Sequence, residues 1–214
     1  MSSQMDPLFA AMDPVLRAAR FAAAKHRDQR RKNGDIPYIN HPIRVASTLW
    51  VDGEVRDGTT LAAALLHDTI EDTDTTREEL EQEFGAEITS VVLEVTDDKS
   101  QSKTDRKRAQ IAHGPHVTVA ARHVKLADKI DNLRDLADRP PRNWTPERVQ
   151  GYFCWSHDVV DSLRREGCPL CSILDSLFAT LLTVDGRRVR AVPEDPSERE
   201  RLLRAYYASF SANA

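Results

Sequence analysis

Apolar residues recur three and four positions apart along most of the chain, a spacing that predicts helices rather than strands. One stretch, residues 61–66, is apolar almost throughout and runs directly into His67 and Asp68. The strand signals are weak and fall at most within residues 183–189. The fold class is therefore predicted to be all-α, an arrangement of helices packed around one another. Helix starts are predicted at or near Asp13-Pro14, His41-Pro42, Thr59, Thr75, Val117, Thr145-Pro146, Cys168-Pro169 and Asp195-Pro196.

The last thirty residues differ in composition from the rest of the chain. A polar, proline-bearing segment between Asp185 and Pro196 precedes a short amphipathic pattern. We predict one helical domain over residues 1–183, followed by a linker and a C-terminal helix over residues 184–214. A helix this short is not stable alone, so it must dock on the body or on another copy of the chain. A homo-oligomer through this helix is therefore one of two open arrangements.

Composition narrows the class of protein. The chain has 214 residues, 40% of them hydrophobic and 30% charged, and a formal net charge of −4. These values are ordinary for a soluble domain, and the acidic balance argues against a nucleic-acid partner. No apolar run approaches the length of a membrane span, and the first residues lack the pattern of a secretion signal. The three cysteines are an odd number, which fits reduced thiols, so we expect a cytoplasmic protein without a membrane partner.

The first candidate functional residues come directly after the apolar stretch of residues 61–66. On a helix over residues 61–71, His67 lies beside Glu71 and Asp68 lies beside Asp72, because residues four apart share a face. An imidazole and three carboxylates against an apolar core are costly unless something compensates their charge. A divalent cation does so, since it requires deprotonated nitrogen and oxygen ligands. The alternative is a frayed helix end with a solvated acidic loop.

Two further helix positions carry similar side chains. His41 precedes Pro42 at a helix start, and Asp128 lies amid apolar positions on a long helix. His41 could instead be a capping or packing histidine, and Asp128 could pair with Lys125 or Arg134. Two imidazoles and two carboxylates would suit a borderline-to-hard ion such as Mn²⁺, with positions left for water and substrate. This candidate set is His41, His67, Asp68 and Asp128.

Five blocks of sequence, in this order and at these separations, carry a family resemblance: INHP, AALLHDTIEDTDTT, EVTDDK, VKLADKIDNLRDL and ERVQGYF. The chain resembles the HD-domain hydrolases of the alarmone (p)ppGpp, and more narrowly the stand-alone small alarmone hydrolases of the metazoan SpoT-like type. The resemblance covers roughly residues 18–182. It implies an all-helical bundle around one metal ion, normally Mn²⁺.

The resemblance also implies roles for matching residues. It implies metal ligands at His41, His67, Asp68 and Asp128, water-preparing acids at Glu71 and Asp72, and nucleotide-binding side chains at Arg31, Lys32, Lys103, Asn132, Arg148 and Tyr152. Two features depart from the family pattern. The loop over residues 33–36 differs in composition, and Asp131 stands where relatives tend to carry an aromatic residue or histidine beside the substrate. The reaction type is therefore better supported than the preference for one nucleotide.

The implied reaction is Mn²⁺-dependent hydrolysis of the 3′-pyrophosphate of ppGpp or pppGpp, which gives GDP or GTP and pyrophosphate. A second enzyme reading is a metal-dependent phosphatase that removes the 2′-phosphate of NADPH, a reaction in which metazoan-type relatives are implicated. A third is a non-catalytic nucleotide-binding module, which we disfavour because the expected ligands and the acidic pair are all present.

Overall fold

The computed structural model describes residues 7–32, 34, 36–184 and 187–210. Helices dominate this part of the chain, so the predicted all-α fold class is confirmed. The chain forms two compact units. The first contains the described residues up to Asp97 together with Val117–Asp128, and the second contains Asp98–His116 and the described residues from Lys129 onward. The expected division into residues 1–183 and 184–214 stays a prediction.

The first unit is built around a short apolar helix. Its helices are α1 (Pro7–Lys25), α2 (Asn40–Val51), α3 (Gly58–Leu66), α4 (Thr69–Asp72) and α5 (Arg77–Val95), joined by the first half of α7 (Val119–Asp138). Every residue of α3 from Thr60 to Leu66 is buried. Helices α1, α2 and α5 all pack against α3, which explains why its sequence is apolar on every face.

Three predicted helix starts in this unit are wrong by a few residues. Helix α1 begins before Pro14, which lies inside it. The N-cap of α3 is Asp57, whose carboxylate accepts hydrogen bonds from the backbone of Thr59, so Thr59 itself lies within the helix. The N-cap of α5 is Thr76 rather than Thr75, because the Thr75 hydroxyl is engaged with Thr73 Oγ1 at 2.8 Å. Local side-chain hydrogen bonds decide between neighbouring candidates of similar capping preference.

The predicted continuous helix over residues 61–71 is also wrong, because it is interrupted at His67 and Asp68. Helix α3 ends at Leu66 and α4 begins at Thr69. The Thr69 hydroxyl donates a hydrogen bond of 2.7 Å to the Leu66 carbonyl oxygen, which a continuous helix would use for a backbone N–H. The break places His67 and Asp68 between two helix ends rather than in mid-helix.

The second unit is organised around α8. Its elements are α6 (Lys103–His113), a 3₁₀ turn (Gly114–His116), the second half of α7, α8 (Pro146–Leu163), α9 (Pro169–Ala179), β1 (Leu181–Val184), β2 (Arg187–Arg190) and α10 (Pro196–Ala208). Helix α8 starts at Thr145-Pro146 as predicted, with Thr145 as its N-cap. Phe153, Trp155 and Val160 of α8 are fully buried, so this helix supplies much of the core of the unit.

A hairpin occupies the start of the predicted linker, and the predicted C-terminal helix follows it. β1 and β2 pair antiparallel, with Leu181 opposite Arg190, and α9 ends before them at Ala179. Helix α10 then starts with Asp195 as its N-cap, as predicted. Leu202 and Tyr206 of α10 are buried, and the helix packs against α8 of the same chain.

Candidate metal centre

Four side chains from three separate parts of the first unit converge on one point. His41 comes from the first turn of α2, His67 and Asp68 from the break between α3 and α4, and Asp128 from α7. His41 Nε2 lies 3.2 Å from Asp128 Oδ1 and 3.5 Å from Asp68 Oδ2. His67 Nε2 lies 3.0 Å from Asp68 Oδ2 and 3.8 Å from Asp128 Oδ1. The structure thus brings together the four residues that the sequence set apart as ligands.

The donor set fits a divalent cation. One ligand atom each from His41, His67 and Asp128 lies within 4.8 Å of the other two, and Asp68 Oδ2 lies within 3.5 Å of both imidazole nitrogens. Both imidazoles are buried, at 1% and 6% exposure. Nitrogen and carboxylate oxygen in this ratio are the donors that Mn²⁺ and similar ions take in proteins. The assignment of all four as metal ligands stays a prediction.

The orientation of His67 supports this reading. Its Nδ1 lies 2.8 Å from the Ala64 carbonyl oxygen, a geometry in which Nδ1 donates. Its Nε2 is buried and makes no hydrogen bond within the described protein, although it points toward the two carboxylates. Metal-binding histidines usually donate through one ring nitrogen and coordinate through the other. The hydrogen bond to the backbone of α3 therefore turns His67 Nε2 toward the carboxylates, the orientation that a metal ligand would need.

Charge within the cluster is strongly coupled. Burial opposes the imidazolium of His67, but the carboxylates of Asp68 and Asp128 outweigh it and raise the pKa of His67 to about 9. Burial likewise opposes ionisation of Asp68, yet the nearby imidazoles of His67 and His41 bring the pKa of that carboxyl far below its usual value. The metal-free cluster thus holds a proton where a cation would sit, and a bound metal would displace it.

Tyr38 is a member of the cluster that sequence reasoning missed. Its hydroxyl donates a hydrogen bond of 2.6 Å to Asp68 Oδ2 and lies 3.4 Å from Asp72 Oδ2. Burial and the carboxylates of Asp68 and Asp72 raise the pKa of Tyr38 well above its ordinary value, so the hydroxyl keeps its proton. The available signal was an aromatic hydroxyl three residues before His41, in a loop predicted to lead into that helix.

The loop before α2 is held in a defined shape by backbone hydrogen bonds. Arg31 N donates to Ile36 O at 2.9 Å, and Tyr38 N donates to Gln29 O at 3.0 Å. This pairing sets the Arg31 guanidinium over the Tyr38 ring, with Cζ 5.6 Å from the ring centre. Arg31 is therefore held next to the carboxylate cluster, on the ring whose hydroxyl binds Asp68. Lys32 follows it and is exposed.

The acidic pair lies beside the cluster. Glu71 and Asp72 are in α4, directly after Asp68, and Glu71 Oε2 accepts a hydrogen bond of 3.3 Å from Asp97 N. Burial, followed by the negative charges of Asp97, Asp68 and Asp72, raises the pKa of Glu71. A carboxylate with a raised pKa next to a metal site has the properties of a general base.

The remaining predicted nucleotide-binding residues lie in the second unit. Lys103 opens α6, with Nζ 4.6 Å from the centre of the Phe210 ring. Arg148 Cζ lies 4.6 Å from the Trp144 ring, and Tyr152 packs against Trp144 at 5.9 Å between ring centres. Three of these residues, Lys103, Arg148 and Tyr152, thus have an aromatic contact within their own unit. Two more residues of this unit lie on α7, where Asn132 is half-buried and Asp131 is 3% exposed.

Among the described residues, no helix has both the length and the apolar character of a membrane-spanning segment.

Comparisons with known proteins agree with this geometry. The HD domain family matches residues 18–150. The chain is 51% identical over 165 residues to the guanosine-3′,5′-bis(diphosphate) 3′-pyrophosphohydrolase MESH1 of Xenopus tropicalis and to that of Homo sapiens, each alignment covering 77% of this chain and 92% of the relative. A solved structure of a metazoan orthologue of SpoT that hydrolyses ppGpp is 46% identical, with a TM-score of 0.75, and the match covers 78% of this chain and 94% of that one. The chain therefore belongs to the HD domain family and, within it, to the group of MESH1-type guanosine-3′,5′-bis(diphosphate) 3′-pyrophosphohydrolases.

Proposed function

We propose that this protein hydrolyses the 3′-pyrophosphate of ppGpp and pppGpp, with Mn²⁺ as its metal, and releases pyrophosphate with GDP or GTP. The relatives named above are guanosine-3′,5′-bis(diphosphate) 3′-pyrophosphohydrolases by name, which supports ppGpp as the substrate. The observation that supports it most directly is His67 Nε2, a buried nitrogen without a hydrogen bond that points toward two carboxylates. Such an atom is costly in a folded protein unless a proton held between it and the carboxylates, or a metal ion in its place, offsets the cost.

The metal would be held by His41, His67, Asp68 and Asp128. When bound, a divalent cation supplies a nucleophile from water at neutral pH and polarises a phosphoryl oxygen. Tyr38 holds the Asp68 carboxylate through its hydrogen bond of 2.6 Å, and the Ala64 carbonyl holds the ring of His67. These contacts fix the ligands before substrate arrives, and such preorganisation lowers the cost of reaching the transition state.

Glu71 and Asp72 would handle the proton. The raised pKa of Glu71, caused by burial and by the neighbouring carboxylates, makes it a better proton acceptor than an ordinary carboxylate. Asp72 shares the Tyr38 hydroxyl with Asp68, which orients it toward the cluster. Glu71 is therefore the proposed base that takes a proton from the attacking water, and Asp72 is proposed to orient that water.

Cationic side chains would bind the substrate phosphates and offset the negative charge that develops on the leaving group, which is the 3′-oxygen of the nucleotide. Arg31 already lies over the Tyr38 ring, beside the metal ligands. Lys32, Lys103 and Arg148 are proposed to complete the set, and Asn132 and Tyr152 to contact the nucleoside. Negative charge on the leaving group rises as the phosphorus–oxygen bond breaks, and positioned cations stabilise it.

The decisive experiment is a product assay with ppGpp and Mn²⁺, with a chelator as the metal-free condition. We expect pyrophosphate and GDP with Mn²⁺ and neither with chelator. His67→Ala should remove activity, while His116→Ala, which changes an exposed histidine of the 3₁₀ turn, should not. Full turnover by His67→Ala, or by wild-type protein in chelator, would contradict the metal assignment.

The same assay separates the second candidate reaction. With NADPH as substrate, release of orthophosphate would indicate the phosphatase activity, whereas the proposed function predicts faster release of pyrophosphate from ppGpp. A protein that binds either nucleotide without releasing product would support the non-catalytic alternative. A cytoplasmic location and self-association through the C-terminal helix stay predictions, and light scattering of the purified chain measures the second.

A further inference from the structure

The cations of α6 rest on aromatic rings of the second unit. Lys103 and Lys107 are four residues apart and therefore share one face of this helix. Lys103 Nζ lies 4.6 Å from the centre of the Phe210 ring, and Lys107 Nζ lies 4.1 Å from that of Trp155. A ring face attracts an ammonium group and so favours one position for it.

These two rings belong to one aromatic cluster. Tyr206 of α10 contacts both of them, with ring centres 4.8 Å from Phe210 and 6.2 Å from Trp155. Tyr207, also of α10, lies under the guanidinium of Arg108, whose Cζ is 5.4 Å from the ring centre. Tyr207 of α10 and Phe210, which follows the end of that helix, thus each contact a cationic side chain of α6.

Close packing fixes α10 in this position. A Cβ atom on Gly151 of α8 would lie 2.6 Å from Tyr206 Cβ and 2.9 Å from the Leu202 carbonyl oxygen, so only glycine permits this approach. Leu202 and Tyr206 are buried there. Gly151 directly precedes Tyr152, whose ring lies 6.1 Å from that of Tyr206. The helix therefore packs beside two proposed substrate-binding residues, Tyr152 and Lys103.

We propose that the C-terminal helix belongs to the nucleotide-binding side of this protein, and that Phe210 is a positioning residue that holds the Lys103 ammonium in place for a substrate phosphate. The inference rests on the proposed function, since Lys103 is a proposed phosphate ligand. The HD domain match ends at residue 150, so α10 lies outside it. Helix α10 is thereby assigned a role in substrate binding rather than in self-association.

The first test uses NMR to detect the contact between the Lys103 side chain and the Phe210 ring. In protein labelled with ¹³C-lysine, the Lys103 ε-methylene signal, assigned by its loss in Lys103→Arg, should be shifted by the ring current of Phe210. Phe210→Leu keeps an apolar side chain but removes the ring, so the signal should move to the position of an ordinary lysine. Phe210→Trp should keep a ring-current shift. An unchanged Lys103 signal in Phe210→Leu would overturn the contact.

The second test reads substrate binding. We expect Phe210→Leu to raise the Kd for ppGpp by about three-fold, measured with a chelator present so that the substrate is not hydrolysed. This factor corresponds to the loss of one exposed cation–π contact. The KM should rise with it, and kcat should fall by no more than the same factor, because Lys103 is proposed to act both on the bound phosphate and on the charge that develops as the bond breaks. Phe210→Trp should restore wild-type affinity. Arg204→Ala, which changes an exposed residue of α10, is the matched control and should bind normally.

The outcomes separate this inference from the proposed function. Wild-type protein that binds ppGpp but does not hydrolyse it with Mn²⁺ would refute the hydrolase function, while weaker binding by Phe210→Leu would still support the role of Phe210. If the wild-type protein hydrolyses ppGpp and Phe210→Leu has the same Kd and KM as the wild type, the proposed role of Phe210 is refuted and the hydrolase function is not. Wild-type protein that does not bind ppGpp refutes both.

Discussion

Tyr38 and Asp68 are joined by a hydrogen bond of 2.6 Å from the tyrosine hydroxyl to Oδ2 of the carboxylate, although thirty residues separate them in the chain. The carboxylate is one of the four candidate ligands. Hydrogen bonds of this kind orient ligands and tune their affinity for metal.

Tyr38→Phe should weaken Mn²⁺ binding by about ten-fold, the lower end of the effect seen when a group that orients a ligand is removed. The change leaves the ring in place under Arg31 and removes only the hydroxyl. Isothermal titration with Mn²⁺ measures the affinity. The melting temperature in chelator is the control, because a general loss of folding would lower it as well. Equal Mn²⁺ affinity in variant and wild type would show that the hydrogen bond does not tune the site.

Mn²⁺ should raise the thermal stability of the protein through Asp128. A ligand at a hundred times its Kd stabilises the folded state by about 2.7 kcal/mol. We expect Asp128→Asn to lose this gain, because a neutral amide is a weaker ligand for a hard cation. Asp138→Asn lies on the same helix, with a side chain 74% exposed, and should keep the gain. Scanning calorimetry with and without Mn²⁺ tests both, and equal stabilisation of the two variants would exclude Asp128 as a ligand.

Asp97→Asn should move the acid limb of the pH–rate profile to lower pH. The negative charge of Asp97 helps to raise the pKa of Glu71, second only to burial. Removing that charge lowers the pKa of Glu71, so the ionised base persists further into the acid range. The rate of ppGpp hydrolysis at saturating Mn²⁺ should be measured against pH. Asp98→Asn, at the next position and exposed, should leave the limb in place. A shift to higher pH in Asp97→Asn would contradict Glu71 as the base.

Gly151→Ala should destabilise the second unit by about 1–3 kcal/mol, because an added methyl group overpacks a tight contact. The Cβ would lie 2.6 Å from Tyr206 Cβ, and neither helix backbone yields easily. Urea unfolding followed by circular dichroism measures the loss. Asp161→Ala, at an exposed position of the same helix, should cost much less. Two equal losses would mean that α10 does not pack closely at Gly151.

The metal cluster could be predicted from sequence because each of its members combined two local signals. His41 and His67 are imidazoles at helix ends, and Asp128 is a carboxylate at an otherwise apolar position. Burial of such groups is costly, so their types alone indicate compensation by a common partner. The contribution of Tyr38 could not be predicted, because a loop tyrosine carries no periodic pattern that fixes where its hydroxyl points.

The aromatic cluster of the second unit was also not predicted, for a reason different from that given for Tyr38. The contact between Lys103 and Phe210 joins positions more than a hundred residues apart, and helical periodicity reports only on neighbours within a few turns. The hairpin of β1 and β2 was missed in part because its strands are four residues each, too short for a clear alternation of polar and apolar positions. Pairing across the hairpin supplies the stability that neither strand has alone.

The break between α3 and α4 affects how far the side chains around the proposed metal ion can move relative to one another. His67 is hydrogen-bonded to Ala64 in α3, a helix that is buried from Thr60 to Leu66. Glu71 and Asp72 lie instead in α4, a separate helical turn of four residues. Because α3 and α4 are separate helices, a rotation of α4 would change the positions of both carboxylates without bending α3. If the proposed site binds cations of different ionic radius, the distance from the ion to the proposed base Glu71 should therefore change more than the distance from the ion to His67.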